Sequence, residues 1–79
     1  MEQYKVYSKE GCPFCTKVVS VLQLAKLPYV EYKLGNHFTR KEFYHHFGEG
    51  STFPRVTYDD KIIGGCVETV KYLKENNLV

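Results

Sequence analysis

Lys9-Glu10-Gly11-Cys12-Pro13-Phe14-Cys15 stands where a short β-favouring run gives way to a helical pattern, and this junction decides how the chain is read. Residues Gln3 to Ser8 carry Tyr4, Val6 and Tyr7 and end in Ser8-Lys9-Glu10-Gly11, which predicts a strand running into a loop. From Cys15 onward apolar residues recur at Val18, Val21, Leu22 and Ala25, with Lys17, Ser20, Gln23 and Lys26 on the other side. That spacing predicts a helix of about three turns, closed by Pro28. Two cysteines three apart at a helix start put Cys12 at the N-cap, beside unsatisfied N–H groups and the positive end of the helix dipole. A thiolate there is stabilised and nucleophilic near neutral pH. Cys15 lies one turn inside, more buried, and within reach of a mixed disulfide held on Cys12. Pro13 suits the first helical position, where its missing N–H costs nothing, and Lys9 adds a nearby positive charge.

Downstream, Tyr29 to Leu34 alternates with period two, Val30, Tyr32 and Leu34 on one face and Glu31 and Lys33 on the other, ended by Gly35-Asn36. Thr39-Arg40-Lys41-Glu42 fits a capping box, and Phe38 and Phe43 occupy the positions of a hydrophobic staple around it, so a second helix is expected from Thr39 to about Phe47. Gly48-Glu49-Gly50 stops it. Pro54 to Tyr58 and Lys61 to Ile63 flank Asp59-Asp60 as a hairpin, interrupted by Gly64-Gly65. From Val67, Val70 and Leu73 share a helical face up to Asn76-Asn77. The order β-α-β-α-β-β-α implies a right-handed parallel crossover at the start and an antiparallel pair at the end. The expected class is α/β, a four-stranded mixed sheet flanked by helices on both faces.

Composition sets the outer bounds. Seventy-nine residues, 43% hydrophobic and 15% aromatic, make one small globular domain over 1–79. The three cysteines, an odd number, argue against a disulfide-stapled scaffold. A net charge of +2, from eleven basic and nine acidic residues, is too small and too evenly spread to advertise a nucleic-acid surface. Met1-Glu2-Gln3-Tyr4-Lys5 runs straight into alternation, and no apolar run approaches the roughly 18 residues of a membrane span, so a soluble cytoplasmic protein is expected. A structural zinc would need two ligands beyond Cys12 and Cys15; Cys66, His37, His45 and His46 form no second knuckle, so no metal is expected. A redox pair beside a β-α-β pattern is the reading that remains.

Taken with Thr52-Phe53-Pro54, Gly64-Gly65-Cys66 and the element order, the Lys9-to-Cys15 stretch resembles the glutaredoxin family over essentially the whole chain. The resemblance implies a thioredoxin-like fold, with Pro54 in a cis peptide facing the cysteine pair, and glutathione as the ligand. Phe53 would then present its N–H and C=O to the cysteinyl part of the tripeptide like an added strand. Gly64-Gly65 would let the ligand backbone approach, and the N–H groups of Cys66 and Val67 would receive the γ-glutamyl α-carboxylate. Lys9 and Arg40, with Lys41 as a substitute, match positions that bind the glycine carboxylate. Two departures stand out: Val67 replaces an acidic or small polar residue, leaving the α-amino group to Glu68, and Phe14 replaces the commoner Tyr beside the sulfur. Cys66 is read as a buried thiol that packs; Thr16, Tyr7 and the histidines receive no role.

By this resemblance the chain is expected to be a monomeric dithiol enzyme that reduces protein disulfides and glutathione mixed disulfides with glutathione as donor. Cys12 would attack and Cys15 resolve; ribonucleotide reductase is one candidate partner. Two other readings stay open: a redoxin serving ribonucleotide reductase and recharged by thioredoxin reductase, and a module holding an iron–sulfur cluster through Cys12 and glutathione across a dimer.

Overall fold

The computed structural model describes residues 3–78; Met1, Glu2 and Val79, which the single-domain reading includes, lie outside the described residues. Seven elements follow the expected order: β1 (Tyr4–Ser8), α1 (Pro13–Leu24), β2 (Tyr29–Lys33), α2 (Arg40–Phe47), β3 (Arg55–Tyr58), β4 (Lys61–Gly64) and α3 (Cys66–Glu75). The strands form one sheet in the order β2-β1-β3-β4. β1 runs parallel to β2 and antiparallel to β3, and β3 runs antiparallel to β4. Alternation along β1 sends Tyr4 and Val6 into a core with Val18 and Leu22 of α1, Val56 of β3 and Cys66 and Leu73 of α3. On the opposite face the Tyr7 ring meets Phe38 at 5.5 Å and Phe47 of α2 at 5.0 Å. The sheet is therefore covered on both sides, by α1 and α3 on one and α2 on the other.

An isolated helix of eight residues is unstable in water, so α2 needs its ends and one face held. Thr39 and Glu42 make both arms of the capping box: the Thr39 N–H donates to Glu42 Oε1 at 2.9 Å and the Glu42 N–H to Thr39 Oγ1 at 3.1 Å. Phe38 and Phe43 close the staple at 5.8 Å between ring centroids.

Several boundaries differ from the sequence expectation for local reasons. α1 begins at Pro13 with Cys12 as N-cap, and it ends at Leu24, before Pro28 can act. Lys26 takes the left-handed conformation (φ 58°), donating to the Gln23 carbonyl, while the Leu27 N–H reaches the Leu22 carbonyl, each at 3.0 Å. This is a Schellman stop built on lysine instead of glycine. α3 likewise begins at Cys66, one residue earlier than expected. Gly64 ends β4 where an interruption was expected, pairing with Val56 across a register shift. Finally, the polar face of β2 is not simply its solvent side. Parallel pairing sets Glu31 beside Val6 and Lys33 beside Ser8, so both acquire the orientation of the buried residues of β1.

Candidate active site

Cys12 has extended backbone (φ −109°, ψ 100°), which swings its side chain across the first turn of α1. Its sulfur accepts the Cys15 N–H at 3.1 Å. This cysteine therefore caps its own helix, and the N–H and helix dipole that meet there stabilise negative charge on Cys12 once it is reduced. Cys12 and Cys15 are joined in a disulfide with their Cα atoms 5.2 Å apart. Cys12 is half-buried and Cys15 only 3% exposed, so an incoming thiolate or disulfide meets the Cys12 sulfur first.

The Phe53-Pro54 peptide bond is cis, as the resemblance implies. Pairing of Arg55 with Tyr7 sets buried Pro54 against the end of β1, from which Lys9 to Gly11 lead into Cys12. Lys9 ties these segments together: its Nζ lies 5.5 Å over the Phe53 ring, and it lines a depression shared with Cys12 and Cys15. Phe53 is held from behind by Phe43 of α2, with ring centroids 4.2 Å apart and planes 13° from parallel. Arg40 and Lys41 are exposed in the first turn of that same helix.

Gly64 and Gly65 bring the start of α3 against the Pro54 loop. A Cβ on Gly65 would stand 3.4 Å from the Pro54 carbonyl oxygen and 3.0 Å from Glu68 Oε1. Glu68 Oε1 accepts the Gly65 N–H at 2.7 Å, so this carboxylate spans the helix start that it was expected to serve as a ligand group. The first backbone bond of α3 is Thr69 N–H to Gly65 carbonyl at 2.9 Å, which leaves the preceding N–H groups of Cys66, Val67 and Glu68 without helical partners. Cys66 is buried beneath them; burial pushes its thiol up, with Glu68 adding to the shift and Lys17 opposing it. It packs as a neutral thiol, consistent with its reading from sequence. Phe14 and Val67, both largely exposed, share a groove above Cys66.

Ser8 and Glu31 were not singled out by sequence. The buried Ser8 hydroxyl donates to Glu31 Oε2 at 2.8 Å, and Glu31 lines the depression that holds both cysteines. Lys33 lines it too, with Nζ 4.0 Å from Glu10 Oε1. The alternation of β2 contained this signal, but only pairing with β1 turns Glu31 toward the disulfide. No cluster of three or more metal-ligating side chains occurs among the described residues.

In sequence and in fold the chain is similar to known proteins. The glutaredoxin family model matches residues 5–63. Glutaredoxin 1 of Rickettsia conorii is 32% identical over 76 residues, covering 92% of this chain and 74% of the relative. Among solved structures, glutaredoxin 1 of Francisella tularensis, complexed with cacodylate, superposes with a TM-score of 0.80 at 25% identity, covering 99% of this chain and 98% of the other. A buckwheat glutaredoxin–glutathione complex shares the fold at 22% identity, with a TM-score of 0.80 and coverage of 98% and 73%.

Proposed function

The chain belongs to the glutaredoxin family and is a thiol–disulfide oxidoreductase built on Cys12 and Cys15, and on that footing we propose that glutathione is its reductant. In the monothiol route the Cys12 thiolate attacks the glutathionyl sulfur of a mixed disulfide, the substrate leaves as a thiolate that takes up a proton, and glutathione remains on Cys12. A second glutathione thiolate attacks that sulfur, giving oxidised glutathione and free Cys12. In the dithiol route Cys12 attacks a protein disulfide and Cys15 attacks the resulting bond at Cys12. The protein dithiol is released and the Cys12–Cys15 disulfide forms; two glutathiones then reduce it. The cycle needs a compartment where thiols are kept reduced, and we place it in the cytoplasm.

The observation that supports glutathione most is that the cis-Pro54 loop meets the start of α3 and is linked to Cys12 through Lys9, which lies over Phe53 and lines the depression that holds the cysteines. Phe53 precedes the cis bond on a loop braced by Phe43, and Gly65 packs against the Pro54 carbonyl with the free N–H groups of α3 following it. A tripeptide running past the sulfur would pair its middle residue with Phe53 and leave its γ-glutamyl carboxylate on the α3 N–H groups. Its ammonium would meet Glu68 and its far carboxylate Lys9 and Arg40. Each terminal charge thus has an opposite charge or a donor to meet.

The test couples NADPH oxidation either to glutathione and glutathione reductase or to thioredoxin reductase. Turnover of a glutathione mixed disulfide is expected with the first system and not the second. Cys15→Ser should keep this turnover and lose reduction of protein disulfides, whereas Cys12→Ser should lose both. Activity retained in Cys12→Ser, or turnover supported by thioredoxin reductase alone, overturns the reading.

A further inference from the structure

Phe14, which lies between the two cysteines of the disulfide, and Val67 are 57% and 70% exposed although both are apolar. With Val70 they line a groove between the first turn of α1 and the outer side of α3, and its margin carries Lys17, Lys71 and Lys74 against the single acid Glu75. That margin alone holds as much net positive charge as the whole chain, whose formal charge is +2. Lys71 and Lys74 repeat the three-residue spacing of Val67 and Val70, so an apolar row and a basic row run side by side along α3, away from the sulfur. None of the three lysines forms an ion pair among the described residues, where the single pair is Lys33 with Glu10. An apolar strip rimmed by unpaired charge is the composition of an interface whose partner carries the opposite charge.

We propose that this groove docks the segment flanking the disulfide of a protein substrate, and that the segment is acidic with an apolar anchor. The inference rests on the disulfide-reducing function above and names its substrate class. Phe14 lies between the two cysteines, so a peptide whose disulfide is engaged by Cys12 continues directly into the groove. Its apolar side chain covers Phe14 and Val67, and its carboxylates meet Lys17, Lys71 and Lys74. Rim charges act chiefly on association rate and are screened by salt, so the preference weakens as ionic strength rises.

The experiment compares two synthetic peptides with the same internal disulfide and the same apolar neighbour, one flanked by Asp and Glu, the other by Lys and Arg. The wild-type protein should reduce the acidic peptide with kcat/KM about tenfold above the basic one at low salt, and Lys71→Glu with Lys74→Glu should erase or invert that ratio. The mixed disulfide of glutathione and 2-mercaptoethanol, too small to reach these lysines, should turn over equally well in both proteins. Equal use of the two peptides by the wild type, or an unchanged ratio in the double variant, overturns the proposal. So does a groove covered by a second copy of the chain, seen as a concentration-dependent dimer that the double variant abolishes. With dithiothreitol as reductant the peptide ratio is read without glutathione, so failure of the glutathione assignment stays distinguishable from failure of this one.

Discussion

Truncating Phe43 tests whether α2 is what holds the Phe53-Pro54 loop in place. The Phe43 side chain is 2% exposed and stacks on Phe53 at 4.2 Å, with Phe47 at 5.0 Å and Phe38 at 5.8 Å. Emptying a buried phenylalanine site costs about 3–5 kcal/mol, and each well-placed ring pair contributes about 0.5–1.5 kcal/mol beyond its area. Because Phe43 is the one fully buried side chain of an eight-residue helix, Phe43→Ala should fall in the upper half of that range. Phe43→Leu keeps most of the volume and loses the stacking, so about 1–1.5 kcal/mol is expected. With a urea slope of about 1 kcal/mol/M for a domain this small, the leucine variant should unfold about 1 M earlier. Its kcat/KM for a glutathione mixed disulfide should also fall, because Phe53 loses its support. Alkylation of reduced Cys12 should keep its rate, since the cap at Cys12 is made within α1. A loss below about 1 kcal/mol for Phe43→Ala refutes the bracing role, being less than any ordinary buried-ring truncation. A Cys12 alkylation rate that falls in the leucine variant refutes the independence of the two halves of the site.

Lys26→Gly should stabilise the protein by about 0.5–1 kcal/mol, because Lys26 holds a left-handed conformation (φ 58°) that glycine adopts without penalty. Thermal denaturation should then rise by about 2–8 °C, and no rise would mean that the helix stop is not strained. Gly64→Ala should destabilise by about 2–4 kcal/mol, since φ is 130° and the new Cβ would sit 2.8 Å from the Glu68 Cβ; calorimetry showing less than 1 kcal/mol would contradict this. Cys66, raised from the ordinary thiol value of 9.0, carries less thiolate folded than unfolded at any given pH. Its contribution to stability is whole below about pH 9 and is lost as pH climbs through the raised value. With Cys12 and Cys15 oxidised, alkylation of the native protein at pH 8 should lag that of the urea-unfolded chain and keep rising beyond pH 9; equal rates would place the thiol at the surface.

Where sequence and structure agree, the signal is carried by neighbours in the chain. The capping box at Thr39 and Glu42, the staple of Phe38 on Phe43, and the cap at Cys12 each involve residues within five positions, so adjacency in sequence guarantees adjacency in space. The stop of α1 was local as well, but its signal was a lysine where glycine is usual, and Pro28 drew the expectation two residues too far. Glu31 was visible as a polar member of an alternating strand. Its placement beside the cysteines was not, because alternation fixes which residues share a face and leaves open which face meets α1.

The element order and the redox pair Cys12 and Cys15 are legible along the chain, and so are Thr52-Phe53-Pro54 and Gly64-Gly65-Cys66, the segments proposed above to meet glutathione. How those segments meet is set by the packed fold. Lys9 lies over Phe53, Phe53 rests on Phe43, Gly65 abuts the Pro54 carbonyl, and Phe14 and Val67 stay exposed beside a basic rim. Propensity, capping and periodicity act over a turn or a strand, whereas these contacts join residues up to tens of positions apart. They arise when strand pairing and burial select one register for the whole sheet, a choice no short stretch of chain contains.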